Sequence, residues 1–377
     1  MGLKDTGCDA VVIGGGVIGC TTAFRLAQAG LRVTIVERGA CGRESSWAGA
    51  GIIDAGSPAR DDPLARLRRA SVARYPRFID ELRSYGDVDP EYQVCGSLGL
   101  LTDDQQEAAA QRILAACADE RTPDGAPMVE LLSPHAVRAL EPALQGDVRG
   151  ALLQRDTAQV RNPRLMAALR AACERSGVKI REGVTVRDLI VRDSRVRGVL
   201  TDAGPVDAAW TILAAGAWSS RISERLTGLV DVHPVRGQIV LYERRPPLLR
   251  HIVRHGRHYI VCRGDGHLLV GSTQEPQAGF DKRPSEKGVS RLTSFAERYV
   301  PAIRDAVMQC AWTGLRPGTP DKHPYIGPVS GLDGLIAATG HFRTGLALAP
   351  ITAELVKQLV TSGATEFDLS RFLPGPR

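Results

Sequence analysis

Lysine is scarce in this chain: six residues (Lys4, Lys179, Lys282, Lys287, Lys322 and Lys357) stand against 42 arginines, within a formal net charge of +6. The arginines are dispersed, with no block of like charges and no alternation of basic and aromatic residues. That argues against a nucleic-acid surface and leaves an anionic small ligand as a natural partner for the charge. Long apolar runs are absent too, none approaching the roughly 18 residues that cross a bilayer, so no membrane partner is expected. The eight cysteines include no CxxC pair and no matching histidine spacing, which disfavours a zinc site or a disulfide framework. A basic-then-apolar leader is missing, and the expected location is cytoplasmic. The opening MGLKDT satisfies the loose myristoylation pattern, but an apolar run follows within a few residues and the match is read as chance. With 377 residues the chain can bury a large core, as two domains or one composite.

What is abundant is glycine in meaningful places. The stretch DAVVIGGGVIGCTTAFRLAQAGLRVTIVERG reads as strand, turn, helix, strand. Ala10–Ile13 is a short apolar run suited to a buried parallel strand. Val17, Ile18, Thr21 and Leu26 begin a helical pattern closed by Gly30, and Val33–Val36 is a second strand. Gly14, Gly16 and Gly19 fit a dinucleotide turn: tight bend, close approach of a pyrophosphate, close helix packing. Glu37, about 20 residues on, can accept from ribose hydroxyls, and the amino end of the helix offers amides to phosphates. The next stretch, GACGRESSWAGAGIIDAG, is poor in bulk and suits a segment threading past a cofactor, with Ser45 and Ser46 near polar oxygens and Ala50–Ile52 along a ring. Trp47 within it is read as filling the core.

Late in the chain, TGLRPGTPDKHPYIG places Arg316 beside Pro317, Gly318 and Pro320. The run reads as a rigid turn, either a surface turn with a solvated arginine or one that aims a guanidinium at a carboxylate. Gln238–Tyr242, Tyr259–Arg263 and His267–Ser272 read as short strands of an antiparallel sheet. GLIAATG reads as a strand, followed by a helix from near Gly345 whose positive end faces the loop His341–Thr344.

Four blocks, VVIGGGVIG with Glu37, GRESSWAGAGII, AWTGLRPGTPDKHPYIGP and ATGHFRTGLALAPITAEL, resemble the amino-acid oxidase superfamily of flavoproteins and, within it, the glycine oxidases of thiamine biosynthesis. TILAAGAWS, PVRGQ and HYIVCR extend the resemblance over essentially the whole chain. It implies an α/β fold: a Rossmann-like FAD-binding domain from 1–83, 150–220 and 325–377, and an α+β substrate domain on a mostly antiparallel sheet from 84–149 and 221–324. It implies noncovalent FAD held by Gly14, Gly16, Val17, Ile18, Gly19, Glu37, Arg38, Ser45, Ser46, Ala50, Gly51, Ile52, Val184, Gly216, Gly340, His341, Phe342, Arg343, Thr344, Gly345 and Leu346. In such proteins Arg316 binds the substrate carboxylate and Tyr259 adds a hydrogen bond, with Arg343 nearby. The implied reaction is oxidative deamination of glycine or a small N-substituted glycine: hydride passes from the α-carbon to flavin N5, the imine hydrolyses, and O2 is reduced to H2O2. A homo-oligomer, often a tetramer, is implied as well. The alternative is a D-amino acid or imino acid dehydrogenase that passes electrons to another acceptor. A related domain that acts on a tRNA nucleoside is disfavoured by the dispersed arginines. Arg257 departs from the family pattern and adds positive charge near the substrate, which suits a second carboxylate or a longer amine substituent. Cys310 stands near the place where sarcosine oxidases attach FAD, and no lysine matches the one those enzymes hold above the ring.

Overall fold

Two eight-stranded sheets organise the structure, a computed structural model that describes residues 7–376. The MGLKDT pattern lies outside the described residues. In the first sheet, Cys8–Ile13 pairs in parallel with Val33–Val36 on one side and Gly204–Leu213 on the other. Lys179–Arg181 and Leu335–Thr339 extend the parallel core outward in both directions. Both faces of these strands are covered, which is why they read as unbroken apolar runs rather than alternating ones. Helices Val17–Gln28, Asn162–Arg175 and Gly345–Thr361 contribute Phe24, Leu169 and Val356 to the layer against one face. The opening strand, turn, helix and second strand fall where the sequence pattern puts them, and the last helix begins at Gly345.

The second sheet runs in the order Val307–Gly318, His233–Glu243, His267–Gly271, His258–Cys262, Ile252–His255, Ser97–Leu101, Gly150–Gln154, Val129–Leu132. All its pairings are antiparallel except that of Ile252–His255 with Ser97–Leu101. Successive side chains of a strand point to opposite faces, and here each face has its own core. Val240, Ile260, Leu268 and Val270 pack with Leu292, Phe295, Ala296 and Tyr299 of the helix Glu286–Tyr299. Those helix positions recur at three- and four-residue steps on one face, and Ser285 caps the helix start by accepting from the Gly288 amide. Burial of Leu292 or Phe295 contributes about 2 kcal/mol each. Ile239, Tyr259, Val261 and Leu269 face the other way, toward the first sheet's cofactor loops. A one-residue slip would exchange the two sets, so the register is firmly specified.

Two expectations need correction. Arg316 does not sit in a turn: it lies within the strand Val307–Gly318, opposite Val235. Proline is tolerated there because the strand is at the sheet edge and Pro317 stands opposite Pro234, so neither is asked for an amide hydrogen bond. The turn comes afterwards, where Thr319 Oγ1 donates to the His323 carbonyl and Lys322 has φ 63°. The segment expected to return to the cofactor domain at 150 is still a second-sheet strand through Gln154, held between Ser97–Leu101 and Val129–Leu132. Among the described residues no helix is long and apolar enough to cross a membrane.

Candidate functional site

A continuous cavity of about 730 Å³ runs between the two sheets, from the glycine turn after the first strand to the inner face of the antiparallel sheet. Its first end is built mostly from backbone. Gly16 precedes the helix Val17–Gln28, whose first turn carries no acidic side chain, and the Val17 amide donates to Ser46 Oγ at 2.9 Å. Other first-turn amides of a helix have no intrahelical acceptor, which makes this end a place for an anion. Glu37 is held rigidly: Gly15 N donates to Oε2 at 2.8 Å and Gly39 N to Oε1 at 2.9 Å. Each oxygen keeps a lone pair for a hydroxyl donor. The Val184 amide donates to the Glu37 carbonyl at 3.0 Å, so its own carbonyl remains for a ligand. Arg38 lies over the Trp218 ring at 3.6 Å and pairs with Glu44.

Further along, Ser45–Ala48 makes one turn of helix inside the small-residue stretch. Beyond it Gly51 has φ 77°, and a side chain there would overlap the Val160 carbonyl oxygen. Buried Arg263 fixes this segment by donating to the Ala50 carbonyl at 2.8 Å and to Gln159 at 2.7 Å. Burial pushes its pKa down to about 10, which leaves it charged at neutral pH. The loop before the last helix holds Phe342 at φ 48° and buried His341, whose Nε2 lies 3.1 Å from Thr352 Oγ1. Burial pushes the His341 imidazole down to about 3, so it is neutral.

The far end is built from side chains on the antiparallel sheet. The Arg316 guanidinium lies across Gly237, where a Cβ would collide with it, and the Tyr259 ring lies across Gly271, where a Cβ would stand 2.6 Å from its hydroxyl. Arg316 Nη2 donates to Ser272 Oγ at 2.7 Å and Nη1 to the Thr273 carbonyl at 3.1 Å. Those bonds orient the fork and leave further N–H donors for a ligand. Burial lowers the Arg316 pKa, Tyr259 opposes the fall, and Arg343 deepens it. The Arg316 strand is fastened to both cofactor loops: Ser45 Oγ donates to the Leu315 carbonyl (2.6 Å), Trp312 Nε1 to the Ala48 carbonyl (3.0 Å) and the Phe342 amide to the Pro317 carbonyl (2.9 Å).

Of the residues singled out from the sequence, Arg316, Tyr259, Arg343, Gly14, Gly16, Val17, Ile18, Glu37, Arg38, Ser45, Ser46, Ala50, Gly51, Ile52, Val184, Gly216, His341, Phe342, Thr344, Gly345 and Leu346 line the cavity. Gly19 and Gly340 do not. A Cβ at Gly19 would overlap the Gly14 carbonyl, and one at Gly340 would stand 2.5 Å from Thr319 Cγ2, so both serve packing. Arg343 forms no ion pair among the described residues. Cys310 is exposed and away from the cavity lining. Half-buried Trp47 packs on Trp312, ring centroids 5.4 Å apart, and does not line the cavity. Asp54, Arg68 and Arg254 are further lining residues with no local signal: Asp54 bridges Arg68 and, at 2.6 Å, Arg254, which is 200 positions away. Burial alone would raise the Asp54 pKa, but Arg254 and Arg68 hold it at about 2.

The cradle fits FAD. Backbone donors, the held Glu37 and a glycine-lined approach meet the needs of a dinucleotide, and the cavity continues past them to the Arg316 guanidinium. Comparison with known proteins agrees. A family model described as FAD dependent oxidoreductase matches residues 9–359. A glycine oxidase of Pseudomonas aeruginosa is 39% identical over 369 residues, covering 97% of this chain and 98% of the relative. The crystal structure of glycine oxidase from Geobacillus kaustophilus superposes with a TM-score of 0.90 at 33% identity, covering 97% of this chain and 98% of that one. That of an iminodiacetate oxidase from Chelativorans sp. BNC1 gives 0.88 at 28% identity, covering 98% of this chain and 100% of that one.

Proposed function

Because the chain belongs to the FAD-dependent oxidoreductase family, we propose that it oxidises glycine or a small N-substituted glycine, with O2 as the final acceptor. The observation that carries this reading is Arg316 and Tyr259 brought together over Gly237 and Gly271, on a strand fastened to both loops of the cofactor cradle. The similarity to glycine oxidases supports the substrate class.

FAD would be held by the first-turn amides, Glu37, the Ala50–Ile52 segment and the loop before Gly345. When bound it supplies the acceptor for the two electrons released at the substrate's α-carbon. The chain's own part is orientation. Arg316 takes the carboxylate with two parallel N–H donors, and Tyr259 can add a third from the side. Fixing that end places the α-carbon against the cradle, the positional contribution that a rigid site makes to rate. Around Arg316, Ser272 Oγ and the Thr273 carbonyl are already taken as acceptors, and the Asp54 carboxylate is engaged by Arg68 and Arg254. The positive end of the last helix and Arg343 favour negative charge that develops near the His341–Thr344 loop.

The test is anaerobic addition of glycine, sarcosine, D-alanine and D-proline to the yellow protein, followed by air. The reading expects bleaching by glycine or an N-substituted glycine, then recovery with release of peroxide. Failure of all four to bleach the flavin would overturn it. Bleaching that air does not reverse would overturn O2 as the acceptor and favour a dehydrogenase.

A further inference from the structure

Eight arginine or lysine side chains line the cavity against three acids. Four of the cations have a partner in the chain: Arg38 pairs with Glu44, Arg60 with Asp62, and Arg68 and Arg254 share Asp54. Arg257, Arg316, Lys322 and Arg343 form no ion pair among the described residues. A substrate with one carboxylate, held by Arg316, brings a single negative charge to this group. Arg343 stands beside the cofactor loop and close enough to Arg316 and Arg68 to lower both. That leaves Arg257 and Lys322 at the rim facing an approach already rich in positive charge, where repulsion raises the cost of an empty site and favours a second anion.

Arg257 is the better placed of the two. It sits at the tip of a two-residue hairpin between Ile252–His255 and His258–Cys262, with His255 opposite His258 and Gly256 at φ 58° in the first tip position. A glycine with positive φ suits that position in a tight hairpin. The tip is thus short and defined, unlike a long loop whose arginine would wander. Arg257 is two residues before Tyr259 and lines the same cavity, and Arg254 is the direct cross-strand neighbour of Tyr259. The hairpin therefore carries the phenol that flanks Arg316, a guanidinium that shares Asp54 with Arg68, and an unpaired guanidinium farther out. The cavity thus offers a ligand two guanidinium groups that pair with no acid among the described residues, Arg316 at the inner end and Arg257 at the rim, whereas Arg68 and Arg254 already share Asp54.

Resting on the glycine-oxidation reading above, the geometry points to a substrate whose nitrogen carries a second, carboxylate-bearing arm, with Arg257 as the residue that selects it. The α-carboxylate lies on Arg316 and the distal carboxylate on Arg257, so the enzyme discriminates a dicarboxylic secondary amine from an N-alkylglycine of equal length. Asp54 already pairs with Arg68 and Arg254, which weakens their pull on the arm relative to that of the unpaired Arg257.

The experiment is stopped-flow reduction of the FAD-loaded enzyme without oxygen. Its probes are iminodiacetate and N-(2-carboxyethyl)glycine, each against an N-alkylglycine of matched length, with glycine as reference. The inference expects one of the dicarboxylates to exceed its neutral match by about ten- to a hundredfold in the second-order rate of reduction, the scale of one charge-assisted hydrogen-bonded pair. In Arg257→Gln the ratio should fall by about the same factor. In the unaltered enzyme it should also shrink as salt rises, because a rim charge is screened. Neutral arms reacting as well as charged ones, or a ratio unchanged in Arg257→Gln at full flavin content, would overturn the inference. If glycine bleaches the flavin and neither dicarboxylate does, this inference fails while the glycine-oxidation reading stands. If nothing bleaches it, both fail. Should Arg257→Gln not fold, the salt dependence in the unaltered enzyme decides: a preference indifferent to salt overturns the inference.

Discussion

The two ends of the cavity use opposite materials. At the cofactor end the contacts come from main-chain amides, a carboxylate braced by two of them, and a segment held by Arg263 through a carbonyl. At the substrate end they come from side chains, the Arg316 guanidinium and the Tyr259 ring, laid across glycines of an antiparallel sheet. A backbone-built site breaks when a Cβ is added, because the main chain cannot move aside without disturbing its strand or helix. A side-chain-built site breaks when a charge is removed, and leaves the frame standing. Adding bulk at the first end and subtracting charge at the second should therefore give different failures.

The largest effect is expected from Gly51→Val. A β-branched residue at φ 77°, overlapping the Val160 carbonyl, would displace the Ala50–Ile52 segment. The purified protein should be colourless, with flavin absorbance per chain near zero after gel filtration. Next comes Arg316→Gln, which should retain its flavin yet lose on the order of 10²–10³ in kcat/KM, the cost of truncating one side of a buried charged pair. A yellow, inactive protein beside a colourless one would be the clearest mark of the contrast.

A smaller effect concerns pH. Asp54 has a folded pKa of about 2 against an ordinary 3.8, since Arg254 and Arg68 favour its charged form over the opposing effect of burial. A depressed carboxylate stabilises the fold above its unfolded pKa, and that contribution is lost as pH falls through the folded value. Between about pH 4 and pH 2 the protein should lose roughly 2 kcal/mol through this group. Denaturant midpoints should drop over that window, and less so in Asp54→Asn, which begins less stable at pH 7 because two half-buried arginines lose their partner. The smallest effect is Gly271→Ala: the added methyl pushes the Tyr259 hydroxyl aside, with a loss of about three- to tenfold in kcat/KM if one neutral hydrogen bond is weakened.

The same contrast explains what could be read from the sequence. The cofactor end is local: one strand, one turn and one helix hold Gly14, Gly16, Val17 and Ile18, and periodicity with glycine spacing is enough to find it. The pairing of Arg316 with Tyr259 depends on four strands standing side by side, and only the family resemblance brought those two residues together beforehand. Nothing in the sequence near Asp54 announces Arg254, since the bridge exists only after the sheet has formed. The turn expected at Arg316 shows the limit of local signals. Proline and glycine read as a bend, but an edge position with a proline opposite accommodates them within a strand. Gly340 shows another limit: a glycine required by close packing carries the same letter as one that lines a cofactor, whereas Gly19 packs as its place in the turn implies.

The account rests on Arg316 as the carboxylate anchor above a bound flavin, and ligand binding without turnover tests it most directly. Glycolate, a carboxylate with no amine to oxidise, would be titrated into the yellow protein while its visible flavin spectrum is followed, and the same done with Arg316→Gln at equal flavin content. The account predicts a saturable spectral change in the unaltered protein that is lost in the variant. Equal changes in both, with equal affinity, would show that the carboxylate binds elsewhere and would contradict it.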